Sequence, residues 1–122
     1  MAKNTREEPA QLAKPIISTT ATIRGGESVS NSVDLTTGNL LMILSPPEWT
    51  SANISFLVSN DNVTFCDLYD GDGEVIKSMG PERAYLMDPS MTSAALYFKI
   101  RSGPLSNPIV QEEDRVFTLS VG

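Results

Sequence analysis

The sequence predicts an all-β protein: an antiparallel β-sandwich of the jelly-roll kind, with about eight strands and an extended N-terminal arm. Three observations predict it. Apolar and polar residues alternate with a period of two from residue 16 onward, and turn-forming residues interrupt the alternation every ~8 to 12 positions. The 122 residues include 14 Ser, 10 Thr, 8 Gly and 8 Pro, a composition rich in turn and strand formers. Helix signals are nearly absent.

Residues 1–15 carry charged residues, Gln, Asn and Pro9, and Leu12 is the one larger apolar side chain between Met1 and Pro15. Such a segment cannot repay its own ordering entropy by burial. It is read as an arm held by a partner surface, against the plainer alternative of a frayed terminus, and residues 16–122 as one sandwich domain. In residues 16–24, Ile17, Thr19, Ala21 and Ile23 share one face while Ser18, Thr20, Thr22 and Arg24 share the other. Residues 40–44 are apolar on both faces, as in a central strand covered on each side, and Pro46-Pro47 ends it. Ala52, Ile54, Phe56 and Val58 alternate with Asn53, Ser55, Leu57 and Ser59, and the turn Asn60-Asp61-Asn62 leads into residues 63–69, so the two runs read as a hairpin. Shorter candidate strands lie at 74–77 and 83–87. Residues 88–95 suit one helical turn, with Asp88 as cap and Pro89 in first position. Leu96, Phe98 and Ile100 are expected inward against Tyr97, Lys99 and Arg101, and Phe117, Leu119 and Val121 alternate with Val116, Thr118 and Ser120.

The length suits one domain that needs no metal or disulfide staple. With no His and one Cys there is no imidazole base for a hydrolytic triad, no thiolate zinc site and no intrachain disulfide. An enzyme is not expected, and no cofactor is implied. Nine Lys and Arg against 15 Asp and Glu give a net charge of −6. Phosphate neutralisation needs clustered cations, so neither nucleic acid nor an anionic membrane is an expected partner. The apolar run 40–44 falls far short of the ~20 residues that span a bilayer. The N-terminal residues hold no apolar core of a secretory signal, so cytoplasmic synthesis is expected.

The candidate sites each have a structural counterpart. Asp70-Gly71-Asp72-Gly73-Glu74 sets three carboxylates at alternate positions, a spacing able to wrap a hard cation; a glycine-rich turn with solvated acids is the plainer reading, and no metal is assigned. The pairs Asp67/Asp70 and Glu112/Glu113 lack an apolar setting that would raise one pKa. Asn53-Ile54-Ser55 and Asn62-Val63-Thr64 match the glycosylation acceptor pattern, read as chance without a secretory signal. Cys66 is expected to be buried or half-buried within its strand. Trp49 offers a stacking plane for a sugar or a lid on the sandwich end. Lys99 and Arg101 read as a solvated strand face able to meet an acidic partner.

Two stretches carry a resemblance. Residues 49–61 have the form W-x-x-A-x-I-x-F-x-x-S-x-D, followed by Phe65 and Leu68-Tyr69-Asp70; residues 98–103 read F-K-I-R-S-G, followed by Pro108 to Gln111 and by Asp114-Arg115. Together they resemble small proteins encoded among the virion-structure genes of tailed bacteriophages and prophages, β-sandwich components of the particle such as capsid decoration (cement) or head-fibre subunits. The segment around Asp61 also resembles the S-x-D-G-x-x-W strand pair of galactose-binding jelly rolls, with Asn62 in place of the Gly and Phe65 in place of the Trp. The resemblance implies a virion protein on the capsid surface whose partners are the major capsid protein and further copies of itself, a trimer being favoured. Glu7, Glu8, Leu12 and Pro15 are the expected arm contacts. The alternatives are a head-fibre or neck component, or a glycan-binding module using Trp49, Tyr69 or Tyr85 for stacking and Asp61 or Arg101 as polar partners.

Overall fold

A computed structural model describes residues 15–122; Glu7, Glu8 and Leu12 lie outside the described residues. The described residues form eleven short strands: β1 (Ile17–Ile23), β2 (Val33–Asp34), β3 (Leu40–Leu44), β4 (Ile54–Ser59), β5 (Cys66–Asp67), β6 (Tyr69–Asp70), β7 (Gly73–Glu74), β8 (Ile76–Lys77), β9 (Ala84–Leu86), β10 (Tyr97–Ser102) and β11 (Arg115–Val121). They form a four-stranded sheet ordered β1-β11-β3-β9 and a five-stranded sheet ordered β2-β10-β4-β5, with β8 also pairing with β4. β6 and β7 make a separate hairpin. All strand pairs are antiparallel. The fold is thus the expected all-β sandwich, its strand count raised because residues 63–77 are broken into two-residue pieces.

The two sheets close over one apolar core, in which Phe56 and Ile100 of the five-stranded sheet and Ile43, Phe117 and Leu119 of the four-stranded sheet are fully buried. Alternation works cleanly in β11, where Phe117, Leu119 and Val121 face inward. In β3 it does not. The pairing with β11 shifts between Ser120, opposite Met42, and Val121, opposite Leu40, so Leu41 is an extra residue. This bulge puts both Leu40 and Ile43 in the core and leaves Leu44 37% exposed. β3 is central, as expected, but it is not covered on both faces: Leu41 and Met42 are half-buried and Leu44 is exposed.

The hairpin from β4 to β5 is present, and Asp88 caps the 3-10 turn Pro89–Met91 by accepting from the Ser90 N–H. Leu96, expected inward, precedes β10 and is exposed. Pro15 is exposed at the entry to β1. The edges of the sheets differ. β2, β5 and β8 are two residues long and β9 is three, whereas β1 runs for seven at the margin of its sheet.

Candidate functional site

The chemistry-bearing side chains fall into two buried polar clusters, one turn and one groove. The first cluster is built on β10. Residues 98–102 are buried on alternate and then successive positions, because Arg101 turns toward β4 and β5 rather than to solvent. Its Nη1 donates to Asp67 at 2.6 Å and its Nη2 to Glu74 at 2.9 Å. Its Nε donates to the Ser55 hydroxyl, which in turn donates to the Gly103 carbonyl at 2.7 Å. Glu74 also accepts from the Leu105 N–H. The expected solvated face of Lys99 and Arg101 is therefore corrected: Arg101 is buried and paired with two carboxylates, which compensate its desolvation. Lys99 alone is half-exposed, with its ammonium 4.4 Å from the Phe65 ring centre.

The second cluster adjoins the first at Ser102, the residue after Arg101 on β10. Gln111, fully buried, uses every arm of its amide: Nε2 donates to the Thr50 carbonyl and the Ser102 hydroxyl, while Oε1 accepts from the Thr50 N–H and Arg115 Nε. Beside it Trp49 packs edge-on against Phe117 with ring centres 5.4 Å apart, and its indole N–H donates to the Ala52 carbonyl. Trp49 is half-buried as a lid, with its polar end occupied.

The Asp61 carboxylate organises the turn after β4. It accepts from the Val63 and Thr64 N–H groups and from the Ser59 hydroxyl, and these bonds, led by Thr64, hold its pKa below the ordinary Asp value. Asn62 takes φ +61°, a left-handed conformation that Asn tolerates, so it fills the place of the glycine in the jelly-roll pattern without strain on the turn.

The three alternate carboxylates diverge. Asp70 accepts from the Asp72 N–H across the β6–β7 turn, whereas Glu74 points to Arg101. Among the described residues no three His, Cys, Asp or Glu side chains gather in a group able to hold a metal ion. Cys66, expected to be buried or half-buried, is exposed, because β5 lies at the margin of its sheet.

A shallow groove runs between β4–β6 and the 3-10 turn, with Leu68 and Met91 shared by its two halves. One half, about 330 Å³, is mainly apolar and includes Val58, Cys66 and Ala95. The other, about 290 Å³, is walled by Tyr69, Asp70, Lys77 and Asp88. Asp88 is held below the ordinary carboxylate pKa by the Ser90 N–H, then the Ser90 hydroxyl, with Lys77 adding to the effect. Of the stacking candidates Tyr69 lines this groove and is 58% exposed. Tyr85 is half-buried against the core and its hydroxyl accepts from the Gly80 N–H. Trp49, Asp61, Tyr85 and Arg101 are not brought together with Tyr69. Gln111, Ser55 and Arg115 were not singled out as site residues by the sequence; polar residues at inward strand positions or flanking them were the available signal.

No family model matches this sequence, and no curated protein sequence matches it. Among solved structures, the chain is similar to the crystal structure of the SPBc2 prophage-derived protein YomS, with a TM-score of 0.53 and 13% sequence identity over 90% of this chain and 97% of that one. At that identity the likeness is one of fold: this chain shares its β-sandwich architecture with a protein derived from a prophage.

Proposed function

We propose that this chain is a non-enzymatic structural protein of a bacteriophage particle, a decoration protein that binds and stabilises the capsid. The observation that carries the reading is the likeness to a prophage-derived protein over 90% of this chain and 97% of that one. The interior supports it: the buried charges and amides of this sandwich are spent on one another, in locks that stiffen a small body. In this reading the sandwich rests on the major capsid protein and residues 1–15 reach a second capsid subunit, with Glu7, Glu8, Leu12 and Pro15 in contact. A bivalent grip of this kind exceeds either contact alone and raises the barrier to particle opening.

The test is a co-sedimentation assay with purified capsids and two proteins, the full chain and one lacking residues 1–15. The full chain should saturate the particle at a fixed copy number, and the truncated one, still folded by circular dichroism, should lose attachment. Full attachment by the truncated protein removes the arm mechanism, and no attachment by either removes the capsid reading.

Glycan recognition is a second reading, favoured by exposed Tyr69 beside Asp70 and Asp88 in the groove. It predicts glycan-array binding that disappears in Tyr69→Ala.

A further inference from the structure

Among the described residues, the edge of β1 lacks the devices that keep sheet edges from pairing. Residues 16–23 read Ile-Ile-Ser-Thr-Thr-Ala-Thr-Ile, with no charge, no Pro and no Gly, and are dominated by β-branched side chains. Native edges are ordinarily blunted by Lys or Pro, by shortness or by cover. The other edges here are short, and charged residues lie on or beside them, Asp34, Asp67, Lys77 and Arg83 among them. The direction of the β1 groups is fixed at one end: the Thr22 N–H donates to Asn31 Oδ1 and the Thr22 carbonyl accepts from the Asn31 N–H. Thr22 therefore turns its main-chain groups away from β11, and by the alternation of antiparallel ladders Ser18 and Thr20 do the same. Asn31 closes the edge at Thr22. Among the described residues no strand lies beyond residues 17–21, and Ile16 and Ile17 are 47% and 50% exposed there.

We infer that β1 pairs with β1 of a second copy of this chain, antiparallel and about a two-fold axis at Thr19. The open stretch, 17–21, is centred on that residue, so the axis sets Ser18 of each copy opposite Thr20 of the other. All four outward N–H and C=O pairs of Ser18 and Thr20 then bond, and Ile16 of each copy, which would face a Thr22 already taken by Asn31, turns out of the strand line there. The composition selects a second copy as the occupant. Two chains of net charge −6 repel across most of their surfaces, but at this seam the outward side chains are Ser18, Thr20 and Thr22, backed by Val116, Thr118 and Ser120 of β11, and none is charged. The strand is also its own complement under two-fold symmetry, as an isologous contact requires. The product is one eight-stranded sheet across two sandwiches, in place of the trimer that the sequence resemblance favours. It rests on the fold and not on the capsid reading, so either can fail without the other.

Sedimentation velocity on the full chain tests it. A two-strand seam is small, so association should be concentration-dependent and visible up to about 1 mM, the weak end of measurable affinity. The expected result is a monomer–dimer equilibrium whose Kd rises about tenfold or more in Thr20→Lys, which adds to the seam the kind of charge that guards other edges. Ser18→Pro removes an outward donor and should act in the same direction; if it fails to fold, Thr20→Lys stands alone. In a Cys66→Ser background, Thr19→Cys should give a reducible covalent dimer, because residues facing each other on the axis as a non-hydrogen-bonded pair lie ~4.5 Å apart at Cα. Val110→Cys, exposed elsewhere, should not. A chain monomeric throughout, a trimer, or a dimer indifferent to Thr20→Lys that Thr19→Cys does not trap would each overturn the inference. So would a dimer that appears only after residues 1–14 are removed, since those residues would then be what covers the edge.

Discussion

Arg101 lies 2.6 Å from Asp67 with its side chain only 5% exposed, and Glu74 takes the other branch of the same guanidinium. One cation thereby ties β10 to β5 and β7, short elements that bury little apolar surface of their own. Removing both acids in Asp67→Ala/Glu74→Ala leaves a buried cation unpaired. The expected loss is about 3–5 kcal/mol in urea unfolding. Adding Arg101→Met to that double variant should recover much of it, because no charge then remains to be paired. An unchanged urea midpoint in the double variant would show that the cluster does not hold the fold.

The Gln111 amide makes four hydrogen bonds and is fully enclosed. Gln111→Leu keeps most of the volume but strands the Thr50 N–H and carbonyl and frees Arg115 Nε. Each buried group left without a partner costs about 1–3 kcal/mol. The variant should therefore unfold at markedly lower urea than Val110→Ala, the exposed neighbour, measured side by side.

How much of this was legible follows from what each residue does. The period-two alternation predicted β1, β4 and β11 because their inward residues are apolar, and the Asp88 cap was legible from its Pro89. Trp49, Arg101, Gln111 and Arg115, four residues of the two patterned stretches, prove to be locks within the sandwich, and Asp61 a lock on an exposed turn: indole to Ala52, guanidinium to two acids, amide to Thr50, carboxylate to the Val63 N–H. Their spacing was visible while their partners were not, since Arg101 meets Asp67 from 34 residues away and Gln111 meets Thr50 from 61. A charged residue in an alternating strand reads as solvent-facing until its counter-charge is placed. The bulge at Leu41 was hidden for a related reason, because it is a property of the pairing of β3 with β11 and not of β3 alone.

Gly103 and Gly26 share φ +87° yet differ in surroundings. A Cβ at Gly26 meets nothing within 4 Å, whereas at Gly103 it would run into the Asn107 carbonyl oxygen and approach the Ile109 nitrogen at 2.9 Å. Gly26→Ala should cost about 1–2 kcal/mol, the left-handed penalty alone. Gly103→Ala should cost clearly more, since the loop after β10 must also open and its carbonyl bond to Ser55 is disturbed. Equal losses in the two variants, read by equilibrium unfolding, would mean that the loop yields freely.

Asp61 sets the expected acid response of the β4–β5 turn. Hydrogen bonds from Thr64, Val63 and Ser59 favour its ionised form and place its folded pKa below the ordinary value of 3.8. A carboxylate depressed on folding contributes stability that is fully present above the unfolded value and is lost as pH falls through the folded one. Asp34 and Asp88 are depressed in the same direction by bonds from Thr36 and Ser90. Stability should therefore fall as pH drops below about 4, with ionisation of these turns unimportant to it between pH 5 and 7. Asp61→Asn cannot ionise and should show a shallower fall across the acid window, at the cost of lower stability near neutrality, where the charge-assisted bonds are missing. Chemical denaturation at a series of pH values from 2.5 to 7 measures both. A variant whose curve runs parallel to the wild type throughout would place the acid sensitivity elsewhere than in Asp61.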